Sequence, residues 1–317
     1  MDLRSIFQKQ KTMRRVLYSL VPVALYSVYL FGLRTLVVIA VVTACGVISE
    51  YLIMRSINGA GAKVSEAALV SSVLFALTLP PSVPFWVAGT GIIFGIVFAK
   101  GVFGGFGRNI FNPALAGRCF IYISFPAFMT VSWTKPFTGF PGGLLRYFNT
   151  VDASTSATPL LSFNNTGEMT EYWRLAYGGI AGSMGETAAL LIFAAAIYLI
   201  ATKTASWKIM ASCVAGFTAL NTVLYFTGVT AADPLFSLLA GGFLFGTVFM
   251  ATDPVSAPKT DPGRIIYGVM IGVLTCVIRI FGLFVEGVMF AILISNMFVP
   301  LLERNLSAIK ARKKAAA

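Results

Sequence analysis

The chain has 317 residues, of which 57% are hydrophobic and only 11% charged, with a net charge of +12 and a mean hydropathy of +0.83. So oily a composition excludes an ordinary soluble domain and points to an integral membrane protein. The 24 Lys and Arg lie between apolar runs rather than on one face, so they orient the chain in a lipid bilayer and no nucleic-acid partner is expected.

Length alone would suggest two or three soluble domains, but the apolar runs are continuous, so residues 1–317 read as a single membrane domain. A membrane helix needs about 20 apolar residues, somewhat fewer where flanking groups snorkel. That ruler predicts ten spans, at residues 16–33, 35–54, 67–79, 85–99 and 113–133, then 178–201, 208–226, 235–251, 265–280 and 285–302. Several are interrupted around Pro80, Pro81, Pro113 and Pro254, where freed backbone groups must be satisfied inside protein or by a cofactor. The first apolar run passes into a second without a small-residue cleavage site, so it does not read as a signal peptide.

With the N-terminus inside, eighteen of the 24 Lys and Arg fall on the cytoplasmic side, Lys100 and Arg108 among them. Arg34, Lys135, Arg146, Arg174 and Arg279 fall on or near the outer side, and Arg118 lies within a span. Both termini are thus expected in the cytoplasm, with a long loop at 134–174 outside and a basic tail at 303–317 inside. An internal echo pairs LPPSVP (79–84) and FGGF (103–106) with DPVSAP (253–258) and FGLF (281–284). Five spans per half is an odd number, which predicts two inverted halves, about 16–133 and 178–302. Helix punctuation by Gly and Pro also accounts for so short an echo.

No histidine occurs, which removes the commonest general base and metal ligand. Cys45, Cys119, Cys213 and Cys276 stand singly in apolar segments, so no CxxC holds zinc or an iron–sulfur cluster and no disulfide framework is expected. In FGGFGRNIFNPALAG (103–117) the glycine spacing is not a dinucleotide fingerprint. Asn112 reads as an N-cap with Pro113 in the first turn. Alternatively Asn109, Asn112 and the helix N-terminus bind a polar ring edge or a phosphate. DASTSATP (152–159) sets Asp152, Thr155, Ser156 and Thr158 in the outer loop, which spacing alone explains as a turn with Pro159 opening a short helix. GSMGET (182–187) has the capping-box spacing from Ser183 to Glu186. Glu186, Asp253 and Glu286 are costly inside a membrane and are candidates for coupling a cation through oxygen ligands. Arg118 should face the interior, and Arg279 and Glu286 either share that functional reading or form a simple pair near the outer interface.

DASTSAT resembles the DxxTxAT acceptor motif for covalent flavin, in which a flavin transferase joins the FMN phosphate to the last Thr. That is Thr158, with Ala153 where the family usually has Gly. LTLPPSVPFW (77–86), FGGFGRNIFNPALAG, GSMGET, FMATDPVSAP (249–258) and EGVMFAILISN (286–296) are similar to the D subunit of the Rnf complex. They are also similar to the B subunit of the Na-translocating NADH:quinone oxidoreductase, and the short segment before the first span favours the former. The resemblance implies an all-α polytopic fold of ten transmembrane helices in two inverted five-helix repeats, like the urea transporters. It implies FMN on Thr158, with Asp152, Thr155 and Ser156 as the rest of the motif, and a second, non-covalent flavin such as riboflavin near Asn109 and Asn112. It further implies a prokaryotic inner-membrane subunit of an ion-pumping ferredoxin:NAD oxidoreductase, with subunits A, B, C, E and G and a flavin transferase as partners. Iron–sulfur centres would belong to those partners. Other readings are the quinone-reductase subunit, a flavin-free solute channel on the same fold, and a structural anchor.

Overall fold

Continuous apolar runs fold as helices because lipid offers no partner for backbone N–H and C=O groups. A computed structural model describes residues 7–131, 133–148, 157–282, 284 and 286–315. Its first helices are a hairpin of α1 (Lys11–Phe31) and α2 (Arg34–Asn58), followed by the short α3 (Glu66–Leu77). Next come α4 (Phe85–Ile96), which runs into a π-helical turn at Val97–Gly101, α5 (Pro113–Ser124) and α6 (Pro126–Thr130). The segment expected outside carries α7 (Pro159–Thr166) and α8 (Tyr172–Tyr177). The second part contains α9 (Ala189–Ala201), α10 (Trp207–Phe226), α11 (Pro234–Leu239) and α12 (Phe243–Phe245), which continues as a second π-helical turn at Gly246–Met250. It closes with α13 (Asp261–Phe281) and α14 (Val288–Ala315). A two-residue parallel ladder, β1 (Phe7–Gln8) with β2 (Val64–Ser65), interrupts the helical pattern.

Among the described residues, four helices are long and apolar enough to cross a membrane: Arg34–Asn58, Trp207–Phe226, Asp261–Phe281 and Val288–Lys313. Shorter apolar helices lie at Glu66–Leu77, Phe85–Gly101 and Ala189–Ala201. The differences from the predicted spans have local causes. The span expected at 113–133 divides between α5 and α6, because Pro126 holds Phe125 out of the helical region, at φ −133° and ψ 55°. The span expected at 235–251 breaks after Leu239, where Ala240 turns extended and Gly241 has φ 70°. The one expected at 178–201 becomes helical only at Ala189.

The groups freed by these breaks are met within the chain. Met184 N donates to Leu79 O (3.0 Å) and Gly185 N to Leu77 O (2.7 Å), so the 182–187 turn finishes the end of α3. Arg34 donates to the carbonyls of Pro81 (3.0 Å), Ser82 (3.3 Å) and Val83 (2.7 Å). Arg279 donates to those of Ser237 (2.7 Å) and Ala240 (3.2 Å). Between α10 and α13 the backbones nearly touch: a Cβ on Gly272 would come within 2.5 Å of Phe217 N, and one on Gly216 within 2.8 Å of Val269 O. Only glycine permits that approach.

One buried charge cluster joins the two parts. Arg118 of α5, 1% exposed, bonds Glu186 Oε1 through Nη1 (2.7 Å) and Glu286 Oε2 through Nη2. Removing one partner of a buried pair leaves an uncompensated charge, at a cost of about 3–5 kcal/mol. Arg118→Leu should therefore lower the thermal unfolding midpoint of the detergent-solubilised protein strongly. The same loss of charge at exposed Arg108 should leave it near that of the parent, as scanning fluorimetry would report.

Candidate functional site

The first site, called outer after the orientation expected from the charges, is built from α7 upward. Thr158 is the N-cap of α7, its Oγ1 accepting from Leu161 N at 3.4 Å, and Pro159 occupies the first helical turn. The expected short helix opened by Pro159 is therefore present. A small apolar cluster of Leu160, Leu175, Ile180, Ala232, Phe236 and Ala240 clamps α7 onto α11, with the Phe163 and Phe236 rings 5.5 Å apart. Asp233 caps α11 through Oδ1, to Leu235 N (2.8 Å) and Phe236 N (2.9 Å). Its Oδ2 accepts from the Tyr172 hydroxyl at 2.5 Å, and that bond raises the phenol above its ordinary pKa.

Thr158 stands at a small cavity whose lining includes Ser183, Glu186, Thr187, Gly241 and Glu286. Glu186 does not form the expected capping box. Its N–H reaches Ser183 O (3.3 Å), its carboxylate goes to Arg118, and Ser183 Oγ is buried with no partner among the described residues. The expected Arg279–Glu286 pair is likewise replaced. Glu286 bonds Arg118, and Arg279 binds carbonyls while resting over the Phe217 and Phe243 rings at 5.4 and 5.9 Å. The Gly241–Gly242 break threads this cluster, since a Cβ on Gly241 would lie 3.1 Å from Arg279 Nη2 and one on Gly242 2.5 Å from Glu186 Oε1.

The second site, called inner after the orientation expected from the charges, is a narrow cavity where the start of α5 faces the 252–255 turn. Lys100, Asn109, Asn112 and Asp253 line it, with Phe106 and Phe249 on its walls. Asn112 is the N-cap that the sequence suggested, its Oδ1 accepting from Ala114 N (3.0 Å) and Leu115 N (3.4 Å), with Pro113 behind it. Asn109 Nδ2 donates to Phe111 O at 3.0 Å. Asp253 caps its own turn, accepting from Val255 N (3.4 Å) and Ser256 Oγ (2.8 Å).

The fold thus gathers Thr158, Glu186 and Glu286 at one cavity and Asn109, Asn112 and Asp253 at another. Arg118 stands six residues beyond Asn112 on α5, about 9 Å along the helix axis. Asp152, Thr155 and Ser156 lie outside the described residues. Sequence reading missed an inner ion pair. Lys100, assigned to a cytoplasmic loop, is 2% exposed and its Nζ sits 2.7 Å from Glu50 Oε2. The signal was available, because Glu50 falls inside the apolar run 35–54, and an acid there requires a buried partner.

The model of the NQR2, RnfD, RnfE family matches residues 3–310. The B subunit of the Na(+)-translocating NADH-quinone reductase of Pseudomonas aeruginosa is 41% identical over 264 residues, covering 80% of this chain and 63% of that protein. The corresponding B subunits from Chromohalobacter salexigens and Klebsiella pneumoniae are 41% identical over 250 residues (77% and 59%) and 38% identical over 260 residues (76% and 59%). The chain therefore spans about 63% of the length of the first of these relatives. A family match over nearly the whole chain, on a helical membrane scaffold whose motif residues converge on two cavities, means that this protein belongs to the NQR2, RnfD, RnfE family.

Proposed function

We propose that the chain is a membrane redox subunit of an ion-translocating electron-transport complex, carrying FMN through a phosphoester to Thr158. The observation that carries this reading is the placement of the motif's acceptor hydroxyl. Thr158 Oγ1 caps a clamped helix as an acceptor, which an ester oxygen can still do, at the rim of a cavity where Ser183 Oγ lacks a partner among the described residues. The phosphate would sit at a helix N-terminus, where backbone N–H groups favour an anion. When bound, the flavin supplies the electron-transfer chemistry, and the chain supplies position and electrostatics. Glu186 and Glu286, held by Arg118, keep that cavity polar and fixed in shape.

The residues at the inner cavity fit a second, non-covalent flavin of the riboflavin type. Asn109 Oδ1 and Asn112 Nδ2 make no bond among the described residues, and aromatic walls flank them. Asp253 there, and Glu186 and Glu286 on the outer side, are the carboxylates proposed to couple the cation, Na or H. Ten spans in two inverted halves belong to the same proposal. Its support is that Phe75, Thr78, Pro80, Ser82 and Pro84 recur at the same spacing as Phe249, Thr252, Pro254, Ser256 and Pro258, each set closing a helical segment. Both termini are placed in the cytoplasm of a prokaryotic inner-membrane protein with the Thr158 loop outside.

The Rnf-type assignment, ferredoxin to NAD with partner subunits A, B, C, E and G, is the first reading. The quinone-reductase reading is favoured by the names of the relatives at 38–41% identity. The purified complex separates them, by reducing NAD from ferredoxin or quinone from NADH.

Thr158→Ala, produced with its flavin transferase, should lose all in-gel flavin fluorescence under denaturing conditions, while Thr155→Ala should keep it. A fluorescent band in the Thr158 variant would defeat the linkage. In a cysteine-free background, Ala157→Cys should react with an impermeant maleimide added to intact cells, and Lys310→Cys only after permeabilisation. The reverse pattern would invert the topology.

A further inference from the structure

The inner cavity holds one feature that neither helix punctuation nor charge orientation demands. A lysine ammonium is buried at the end of a π-helical turn, a distortion that concentrates at functional sites. Lys100 Nζ has three N–H donors. One goes to Glu50 Oε2 and one to Ser65 Oγ, both at 2.7 Å, and Ser65 in turn gives its hydroxyl (2.7 Å) and its N–H (3.1 Å) to Glu50 Oε1. The third N–H has no acceptor among the described residues, and Lys100 lines the cavity beside Asn109 and Asn112. The orientation of Asn112 follows from the two backbone N–H groups its oxygen accepts, so its amide N–H is the part left over. Asn109 gives one of its two amide N–H groups to Phe111 O and keeps its carbonyl oxygen as an acceptor.

The three side chains therefore offer a donor, an acceptor and a donor. The pyrimidine edge of a flavin offers the complement: the C2 carbonyl, N3–H and the C4 carbonyl. A flavin that takes up two electrons and one proton gains one negative charge, centred on N1 and the C2 carbonyl. We propose that Lys100 is the positioning residue for that edge, its ammonium facing N1 and the C2 carbonyl, with Glu50 as the counter-charge that tempers it, so that the pair sets the reduction potential of the inner flavin. The proposal rests on the reading of the inner cavity as a flavin site. A purely structural Lys100–Glu50 tie would change stability and leave the potential alone.

The test uses the full-length chain carrying Thr158→Ala, so that no covalent flavin contributes, with riboflavin as the probe and dithionite as the electron donor. Binding is read by equilibrium dialysis and the midpoint potential by spectroscopic titration. Lys100→Met should weaken the preference for reduced over oxidised riboflavin at least tenfold, about 30 mV downward for a two-electron couple. Lys100→Arg should stay near the parent, and Glu50→Gln should shift the potential upward. If Lys100→Met does not fold, the double variant Lys100→Met/Glu50→Gln, which leaves no lone buried charge, should still lie below the parent, because the lysine is the nearer group. Riboflavin bound by these variants at the parent potential overturns the role of Lys100 and leaves the flavin site standing. An absence of riboflavin binding by the parent chain overturns both.

Discussion

A chain surrounded by lipid must satisfy its own polar groups, and in this protein arginine side chains meet much of that demand where helices break. Arg34 gathers the carbonyls after α3, Arg279 those at the end of α11, and Arg118 holds two carboxylates between α5 and the second part of the chain. A guanidinium suits the task because it is planar, always charged and carries five donors in a fixed fork. Without these contacts the interrupted helices would expose unpaired backbone inside the membrane. With them, the breaks become rigid walls.

Those walls make the cavities. The outer one exists because α3 ends early and the 182–187 turn fills the gap, bringing Ser183 and Glu186 under Thr158. The inner one exists because α5 starts late, at Asn112 and Pro113, opposite the 252–255 turn that carries Asp253. One helix serves both, with its N-cap at the inner cavity and Arg118 reaching the outer carboxylates. Structural economy of this kind ties the geometry of one site to that of the other through a single rigid element.

Charge is distributed in the same spirit. The outer cluster sets Arg118 and Arg279 against Glu186 and Glu286, and the inner one sets Lys100 against Glu50 with Asp253 nearby. Each buried cation among the described residues has a carboxylate or carbonyl partner, as the cost of an isolated charge requires. A redox group added to either cavity would meet a field already organised before it arrives.

Much of this was legible in the residues themselves. Composition identified a membrane protein, the apolar runs located its long helices, and Asn112 and Pro159 announced helix starts that the fold realises. These are local matters, governed by the period of hydrophobicity and by capping chemistry within a few residues. Who pairs with whom was not local. The capping-box spacing at Ser183 and Glu186 suggested a cap, yet Arg118, 68 residues away in sequence, offers the carboxylate a stronger partner. Arg279 and Glu286 looked like neighbours and took different partners, while Lys100 and Glu50, 50 positions apart, found each other. Spacing along a chain sets which side chains share a helical face, whereas the partner of a buried charge is chosen by packing among distant segments, and that choice belongs to the folded molecule alone.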